Sequence, residues 1–331
     1  MRNSLKVMAV TGLFMYVFGW LFSGLVGAQI GVAEQMVLPL TFELRPLFAQ
    51  FLSSELCLKG GSRDVVVIDL ATGVSRQEIL KNESVSIMMA DPHRAGDILF
   101  ATTGGKVYLA RLEDETVTLT EMSVPSPWNL TVVHSILFDP MVPGRVLMAD
   151  YESMAICSRT DASLQIQQSL PLPDPGGLIC MVFPDHVDAG WFIVSAAEGK
   201  RFRGQWNSGH IENISGRIIE YGYTVVDHGI RFLPRGDFDT YFYLDYIPAR
   251  PVFIKQHPVN KRMYYAATIG ISPLRITIDS NNYYTLDYLA QNRMLTFSVD
   301  IDPANDQHIM FSTAASIQVS SDGGTTWKTI E

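Results

Sequence analysis

The chain has 331 residues, enough for one large domain or two ordinary ones, and 47% of them are hydrophobic while 18% are charged. A chain this apolar can bury a large core, which excludes global disorder. The formal net charge of −9 argues against general nucleic-acid binding, because an acidic surface repels a phosphate backbone.

The first 33 residues predict a targeting segment. Arg2 and Lys6 precede an uncharged run over residues 7–33, which is the arrangement of an export signal. The 20 residues from Val7 to Val26 are also long enough to cross a bilayer as a hydrophobic helix. A cleaved signal peptide and an uncleaved membrane anchor therefore both remain open. Either one places the rest of the chain outside the cytoplasm, as a secreted, periplasmic or membrane-anchored protein.

Residues 34–60 are predicted to connect this segment to the main domain. Within them, residues 42–56 favour a short helix. Pro46 suits the first turn of a helix, and apolar residues follow at i, i+4 spacing. We expect this helix to pack against the domain that follows.

Residues 61–331 predict an all-β domain, because short β-rich runs alternate with turn residues and no long helical period is present. An internal repeat refines this to a β-propeller: an apolar strand, an Asp/Pro turn, a few polar residues and a second apolar strand. The turn prolines of the repeat are Pro92, Pro140, Pro184, Pro258 and Pro303. Their successive separations are 48, 44, 74 and 45 residues.

These separations set the predicted number of blades. A propeller blade takes about 40–50 residues. We interpret the gap of 74 as two short blades whose junction lost its proline, between Tyr221 and Pro234. The sequence therefore favours seven blades, and six longer blades remain possible.

Residues 200–262 differ from the rest of the chain in charge. They carry 10 basic and 6 acidic side chains, a net charge of +4 in an acidic protein. Ten of the 13 tyrosines lie between Tyr221 and Tyr288. Lys200, Arg201 and Arg203 open the basic segment as a short loop. Since Arg and Tyr are enriched in binding hot spots, we predict a partner surface there.

The residue types that usually carry chemistry form no recognisable motif. Cys57, Cys157 and Cys180 are predicted to be buried thiols, although a Cys157–Cys180 disulfide remains open in an oxidising compartment. Four of the seven histidines lie in or beside repeat turns: His93, His186, His257 and His308. The seven show no metal-ligand spacing, and no nucleotide-binding or nucleophile motif occurs. We predict no catalytic, cofactor-binding or metal-binding residue and no nucleic-acid partner.

The C-terminus carries the most specific motif. Its members are Ser320, Asp322, Gly324, Thr326 and Trp327, in the spacing S-x-D-x-G-x-T-W. The motif resembles the Asp-box of BNR-repeat propellers, a group that includes sialidases, sortilin-like receptors and photosystem assembly factors. The resemblance implies a hairpin turn between the third and fourth strands of a blade, with a structural role. The segment from Cys157 to Ser163 is similar to a decayed copy around Asp161.

Sialidases of this group also use three arginines to hold a carboxylate, together with an early Arg-Ile-Pro motif. The nearest string here, from Arg231 to Pro234, has one residue too many and lies late in the chain. We therefore predict an exported or membrane-anchored propeller that binds another protein, an acidic one, or serves as an assembly scaffold. Alternatives are a sialidase-like carbohydrate-active enzyme and a purely structural envelope component.

Overall fold

The chain divides by compactness into two units, Met1–Glu43 and Leu44–Glu331. A computed structural model describes residues 47–124, 132–171, 179–185, 188–196, 201–213, 220–226, 229–235, 250–269, 272–280, 284–289 and 295–330, all in the second unit. The predicted targeting segment at residues 1–33 lies outside the described residues. Within the described part, no helix is long and apolar enough to span a membrane.

The described strands form six antiparallel sheets, and each sheet is built from consecutive strands. Sheet 1 contains β1 (Phe48–Phe51), β2 (Leu56–Gly60), β3 (Asp64–Asp69) and β4 (Ser75–Lys81). Sheet 2 contains β5 (Val85–Ala90), β6 (Asp97–Thr102), β7 (Val107–Glu113) and β8 (Thr116–Glu121). Sheet 3 contains β9 (Ser135–Phe138), β10 (Arg145–Ala149), β11 (Met154–Arg159) and β12 (Leu164–Leu170).

The remaining three sheets continue the same order along the chain. Sheet 4 contains β13 (Ile179–Pro184), β14 (Trp191–Ala196), β15 (Arg201–Gln205) and β16 (Ile211–Asn213). Sheet 5 contains β19 (Arg250–Gln256), β20 (Met263–Ile269), β21 (Leu274–Ile278) and β22 (Tyr284–Tyr288), with β17 (Glu220–Val226) and β18 (Gly229–Arg235) added beside β22. Sheet 6 contains β23 (Thr296–Asp302), β24 (Asn305–Thr313), β25 (Ile317–Ser320) and β26 (Lys328–Ile330).

These sheets are the blades of a six-bladed β-propeller. In sheet 2, all six residues of the second strand, β6, are buried, because that strand is covered on both faces by neighbouring blades. The outer strand of sheet 3, β12, instead alternates buried and exposed positions, since only one of its faces meets the core. A continuous apolar run therefore indicates an inner strand of a blade, and an alternating polar–apolar pattern indicates an outer strand.

The sequence prediction of seven blades is wrong. Four of the repeat prolines lie in the turn between the first and second strands of a blade, and Pro184 is the last residue of the first strand of blade 4, directly before that turn. The gap of 74 residues is filled by the β17–β18 hairpin, which pairs through β18 with β22 and widens blade 5 to six strands. Among the described residues this hairpin has no inner strand pair of its own, so it extends blade 5 and does not form a separate blade.

The hairpin also accounts for the string from Arg231 to Pro234, which lies within β18. Pairing of β18 with β22 ends at Phe232. Pro234 has no N–H group to continue such a ladder. The residues compared with a sialidase motif are therefore part of a strand pairing in the outer half of blade 5.

The predicted helix over residues 42–56 is also replaced by strands in its described part. Residues 48–51 form β1, the innermost strand of blade 1, and β2 begins at Leu56. All four residues of β1 are buried. A short buried apolar run suits a core strand as well as a helix, and tertiary contacts decide between them. Blade 1 consequently extends into the segment that was predicted to be a connection.

The ring closes between blades 6 and 1 through polar side chains. Ser298 Oγ accepts a hydrogen bond of 3.0 Å from the Ala49 N–H, and Asp300 Oδ2 accepts one of 2.7 Å from the Phe51 N–H. These contacts satisfy edge groups of β1 that its partner β2 leaves free. Burial raises the pKa of Asp300, and the contact with Lys255 Nζ opposes that rise.

Among the described residues, Cys57 and Cys157 are buried free thiols, in agreement with the sequence prediction. Cys157 therefore takes part in no disulfide with Cys180. Burial raises the pKa of both buried thiols to about 12, so they stay protonated at neutral pH.

Candidate functional site

One end of the ring carries the turns between first and second strands and those between third and fourth strands. We call this end the turn face. Its turns meet across blade boundaries: Arg94, in the first turn of blade 2, lies 3.1 Å from a carboxylate oxygen of Asp161, in the last turn of blade 3. His93 Nε2 likewise lies 2.7 Å from the Asp139 carbonyl. The turn face is therefore a continuous surface built from the repeat turns.

In blades 2, 3, 5 and 6 the first turn is held by a side chain at or just after the end of the first strand. Asp139 Oδ1 accepts the N–H groups of Met141 and Val142 at 2.7 and 3.2 Å, as in an Asx turn. Asp91 and Asp302 accept turn N–H groups in the same way in blades 2 and 6. These aspartates of the repeat therefore stabilise the backbone of their turns by accepting its N–H groups.

Blades 2 and 3 are joined on the turn face by a network of three arginines and three aspartates: Arg94, Arg111 and Arg159, with Asp91, Asp97 and Asp161. Arg159 binds Asp91 at 2.5 Å and Asp97 at 3.1 Å, and all three side chains are at most 4% exposed. Arg111 bridges Asp97 and Asp161 at 2.9 and 2.7 Å. Asp161 belongs to the segment that resembles a decayed Asp-box, which connects the third and fourth strands of blade 3.

The structure thus brings together three arginines that the sequence did not group. Their guanidinium groups are bound to carboxylates of the chain itself, so they are not arranged to hold a substrate carboxylate. The turn from Ser320 to Trp327 joins β25 and β26, the third and fourth strands of blade 6. Its first four motif residues close the turn through side-chain hydrogen bonds.

Asp322 is the centre of that turn. Its carboxylate accepts the N–H groups of Thr325 and Thr326 at 3.0 and 2.8 Å, and the hydroxyls of Ser320 and Thr326 at 2.8 and 2.7 Å. The Thr326 N–H and hydroxyl, followed by the Ser320 hydroxyl, lower the pKa of Asp322 to about 2. Gly324 has φ of 93°, which an L-residue with a side chain rarely adopts.

Trp327 links this turn to blade 5. Its indole N–H donates to the Leu289 carbonyl at 2.7 Å, and its ring lies 4.5 Å from that of Phe311 between centroids. The side chain is half-buried. It therefore anchors the last turn of blade 6 on blade 5.

A groove of about 320 Å³ lies between blades 5 and 6 on the turn face. It is bounded by the first turns of both blades and by the Asp322 turn. The side chains that line it are mainly polar, and include His257, Asn260, Tyr265, Arg275, Asp306 and Gln307. Arg275 is bound to Asp287 at 3.0 Å. The groove separates these turns, whereas the turns of blades 2 and 3 are in direct contact.

His257 occupies the position that holds aspartate in blades 2, 3 and 6. Its Nδ1 accepts the N–H groups of Val259 and Asn260 at 3.1 and 2.9 Å, so the proton of the neutral ring resides on Nε2. Nε2 lies 3.6 Å from Asp306 Oδ2 across the groove. Burial lowers the pKa of His257, Asp306 opposes that shift, and Lys261 adds to it.

The turn face also carries the most exposed large apolar side chains of the described chain. Val259 is 76% exposed, Met141 65% and Val74 61%, at turns of blades 5, 3 and 1. Tyr151 and Tyr288 lie at the opposite end of their blades and are 38% and 40% exposed. Isolated apolar residues are normal on surfaces, but these turn tips share one end of the ring.

The predicted partner residues lie elsewhere, in blade 4. Arg201 and Arg203 belong to strand β15, not to a loop, and Phe202 between them is fully buried. Arg203 binds Asp185 at 2.6 Å and stacks over Trp191, with the guanidinium carbon 4.3 Å from the ring centroid. Lys200 and the Arg201 side chain lie outside the described residues. The partner surface at Lys200, Arg201 and Arg203 stays a prediction. The Arg203 side chain is already bound to Asp185 and Trp191 within the fold.

The groove could not be found from the sequence because its walls come from distant turns: His257 is 49 residues from Asp306 and 65 residues from Asp322. The one feature of the sequence that could have indicated this site is His257, which stands where the other repeats have aspartate. In the part of the chain that is described, no three His, Cys, Asp or Glu side chains come together as metal ligands.

The comparison with solved structures supports the β-propeller fold. No family model and no curated protein matches the chain. Among solved structures, the chain is similar to the Cps50 (Swd1) β-propeller domain of Myceliophteria thermophila, with a TM-score of 0.53 and 13% sequence identity. The match covers 84% of this chain and 97% of that domain. At this identity the likeness shows the β-propeller fold alone.

Proposed function

We propose that the chain is a protein-binding scaffold, held outside the cytoplasm by its N-terminal segment, that docks its partner on the turn face. The proposal includes membership of the Asp-box type of propeller, on the strength of the Ser320–Trp327 turn. A β-propeller offers a rigid ring on which loops can form a binding surface, and the fold itself is compatible with many functions.

One observation carries the proposal: the exposed apolar tips of the turn face. Val259, Met141 and Val74 stand on turns whose backbones are fixed by hydrogen bonds. A rigid turn loses little conformational entropy when a partner covers it. Exposed apolar side chains on fixed turns are therefore suited to docking.

Asp322, which lines the groove, is poorly suited to act as the acid in glycoside hydrolysis. Such a reaction requires a carboxylic acid that is protonated near neutral pH. Hydrogen bonds lower the pKa of Asp322 to about 2, so it is ionised there and cannot donate a proton. The buried aspartates of the repeat turns are bound to turn amides or arginines. This chemistry favours binding over the enzyme alternative.

The test is affinity purification of the full-length protein from its source, with cross-linking and mass spectrometry. A Met141→Asp, Val259→Asp variant should fold normally and lose at least about 90% of the specific partner, because two buried charges would oppose docking. The matched control is Tyr151→Asp, Tyr288→Asp on the opposite end of the ring, which should retain the partner.

Equal recovery of the partner by both double variants would refute the turn face as the docking surface. N-terminal sequencing of the purified protein separates the two forms of attachment. Loss of residues 1–33 indicates a cleaved signal, and an intact N-terminus that is extracted only by detergent indicates an anchor. Deleting residues 1–33 should leave the protein in the cytosol, and continued export would contradict the proposed location.

A further inference from the structure

The turn after the first strand of blade 5 differs from its equivalents in the group that holds it. In blade 3 the group is a carboxylate, Asp139, which accepts two turn N–H groups. In blade 5 it is an imidazole, and His257 Nδ1 accepts the N–H groups of Val259 and Asn260. An imidazole can accept through Nδ1 only when that nitrogen carries no proton.

Protonation of His257 therefore removes the acceptor and directs an N–H group at two backbone N–H groups. The turn would lose both hydrogen bonds at once. The same turn carries Val259, the most exposed large apolar side chain of the described chain. A carboxylate at this position, as in blade 3, would keep its acceptor until far lower pH.

A second partner for the charged ring is already nearby. Asp306, the second residue of β24 in blade 6, has Oδ2 3.6 Å from His257 Nε2, and its side chain is 43% exposed. A protonated ring would be attracted to this carboxylate. His257 thus has two alternatives: a neutral ring that holds its own turn, and a charged ring that pairs with blade 6.

The other charged and titratable groups around the His257 imidazole each have identified contacts or positions. Lys261, on the same turn, binds the Pro258 carbonyl at 2.9 Å. Tyr265, on β20, stacks on the imidazole with 6.3 Å between ring centroids. Arg275 on β21 is paired with Asp287, and Asp322 lies across the groove. Asp306 is the carboxylate in the position to receive the charged ring.

We propose that the blade 5 turn is a pH-sensitive element of the turn face, in which protonation of His257 releases the turn that carries Val259. The fold's preference for the neutral ring agrees with the lowered pKa of His257. For a group whose pKa is lowered on folding, the stabilisation is present above the unfolded value of about 6.5 and is lost as pH falls. The turn should therefore be closed at pH 7.5 and open progressively below pH 6.5. Its effect on docking rests on the proposed function.

Hydrogen exchange of the full-length protein, read at residues 257–263 and corrected for the intrinsic pH dependence, tests the element without a partner. Between pH 7.5 and 5.0, protection of Val259 and Asn260 should fall about tenfold or more, as expected for loss of a hydrogen bond. The Met141 and Val142 amides of blade 3 are an internal control and should keep their protection.

Two variants test the cause. His257→Asp should keep the blade 5 turn protected at both pH values, because a carboxylate replaces the titrating ring. Asp306→Asn should move the opening to lower pH, because it removes the charge that favours the protonated ring. Unchanged protection in the wild type, or the same loss in His257→Asp, overturns the proposal.

Partner capture at the two pH values separates this proposal from the proposed function. Release of the partner on acidification from the wild type but not from His257→Asp supports both. A turn that opens as expected while capture stays constant supports the switch and removes blade 5 from the docking surface. Protection that stays constant overturns the switch, whatever happens to capture.

Discussion

Two boundaries between blades can be compared, that of blades 2 and 3 and that of blades 5 and 6. Both are formed by structurally equivalent turns at the same end of the propeller. At the first, Arg159 is sealed between Asp91 and Asp97, and the turns are in direct contact. At the second, His257 and Asp306 face each other at 3.6 Å beside an open groove.

Under the proposed function, the two boundaries divide between them the stability of the ring and the binding of a partner. A buried, paired arginine fixes two neighbouring blades, because each charge depends on the other for compensation. A boundary with half-exposed polar groups leaves surface that a partner can use and that pH can change. We expect substitutions at the first boundary to act on folding, and those at the second to act on binding.

The largest effect is expected at the closed boundary. Arg159→Met should lower the free energy of unfolding by about 3–5 kcal/mol, because it leaves buried carboxylates without their counter-ion. Denaturant unfolding measures the change. Arg94→Met is the matched control: its side chain is 54% exposed, and its pair with Asp161 should contribute at most about 1 kcal/mol. A similar loss in both variants would contradict the proposed importance of burial.

The next effect concerns the anchor of the open boundary. Trp327→Ala should cost about 2–3 kcal/mol, less than for a fully buried tryptophan, because the indole is half-buried. Trp327→Phe keeps the contact with Phe311 and loses the hydrogen bond to Leu289, so it should cost about 1 kcal/mol. Thermal unfolding at neutral pH distinguishes them. An equal cost for the two would mean that the hydrogen bond, and not ring packing, anchors the turn.

A smaller effect should appear in acid at the Asp322 turn. The pKa of Asp322 is lowered to about 2 by hydrogen bonds, so its stabilisation is present above about pH 4 and is lost as pH falls toward 2. Asp322→Asn should be less stable than the wild type at pH 7 and should approach it as pH falls. Melting temperatures over this range test the expectation, with Thr326→Ser, which retains the hydroxyl donor, as control. A constant difference between wild type and Asp322→Asn would assign the effect to shape instead of charge.

The smallest effect on stability is expected at the docking tip. Val259→Ser should change the free energy of unfolding by no more than about 0.5 kcal/mol, because 76% of the residue is already exposed. The same change should weaken partner capture measurably. If Val259→Ser instead destabilises the protein as much as Trp327→Ala does, the tip belongs to the core and the comparison of the two boundaries fails.

Several local features of this chain could be predicted from the sequence. The repeat prolines mark first turns because Asp-Pro strings favour turns between apolar strands. The Asp322 turn was recognisable because its bonds join residues no more than four positions apart. The burial of Cys57 and Cys157 followed from their apolar neighbours. Each of these depends on a few consecutive residues.

The tertiary structure alone decided the features that depend on distant pairing. The segment from Glu220 to Arg235 has the composition of a blade strand pair, and only its pairing with β22 makes it an extension of blade 5. That pairing lowers the ring from the predicted seven blades to six.

The same reason applies to the candidate site. Asp91 and Arg159 are 68 residues apart, and His257 and Asp306 are separated by nearly 50. The sequence determined that these residues sit at strand ends. Which turns become neighbours is set by how many blades close the ring, because closure fixes the position of every turn relative to the next.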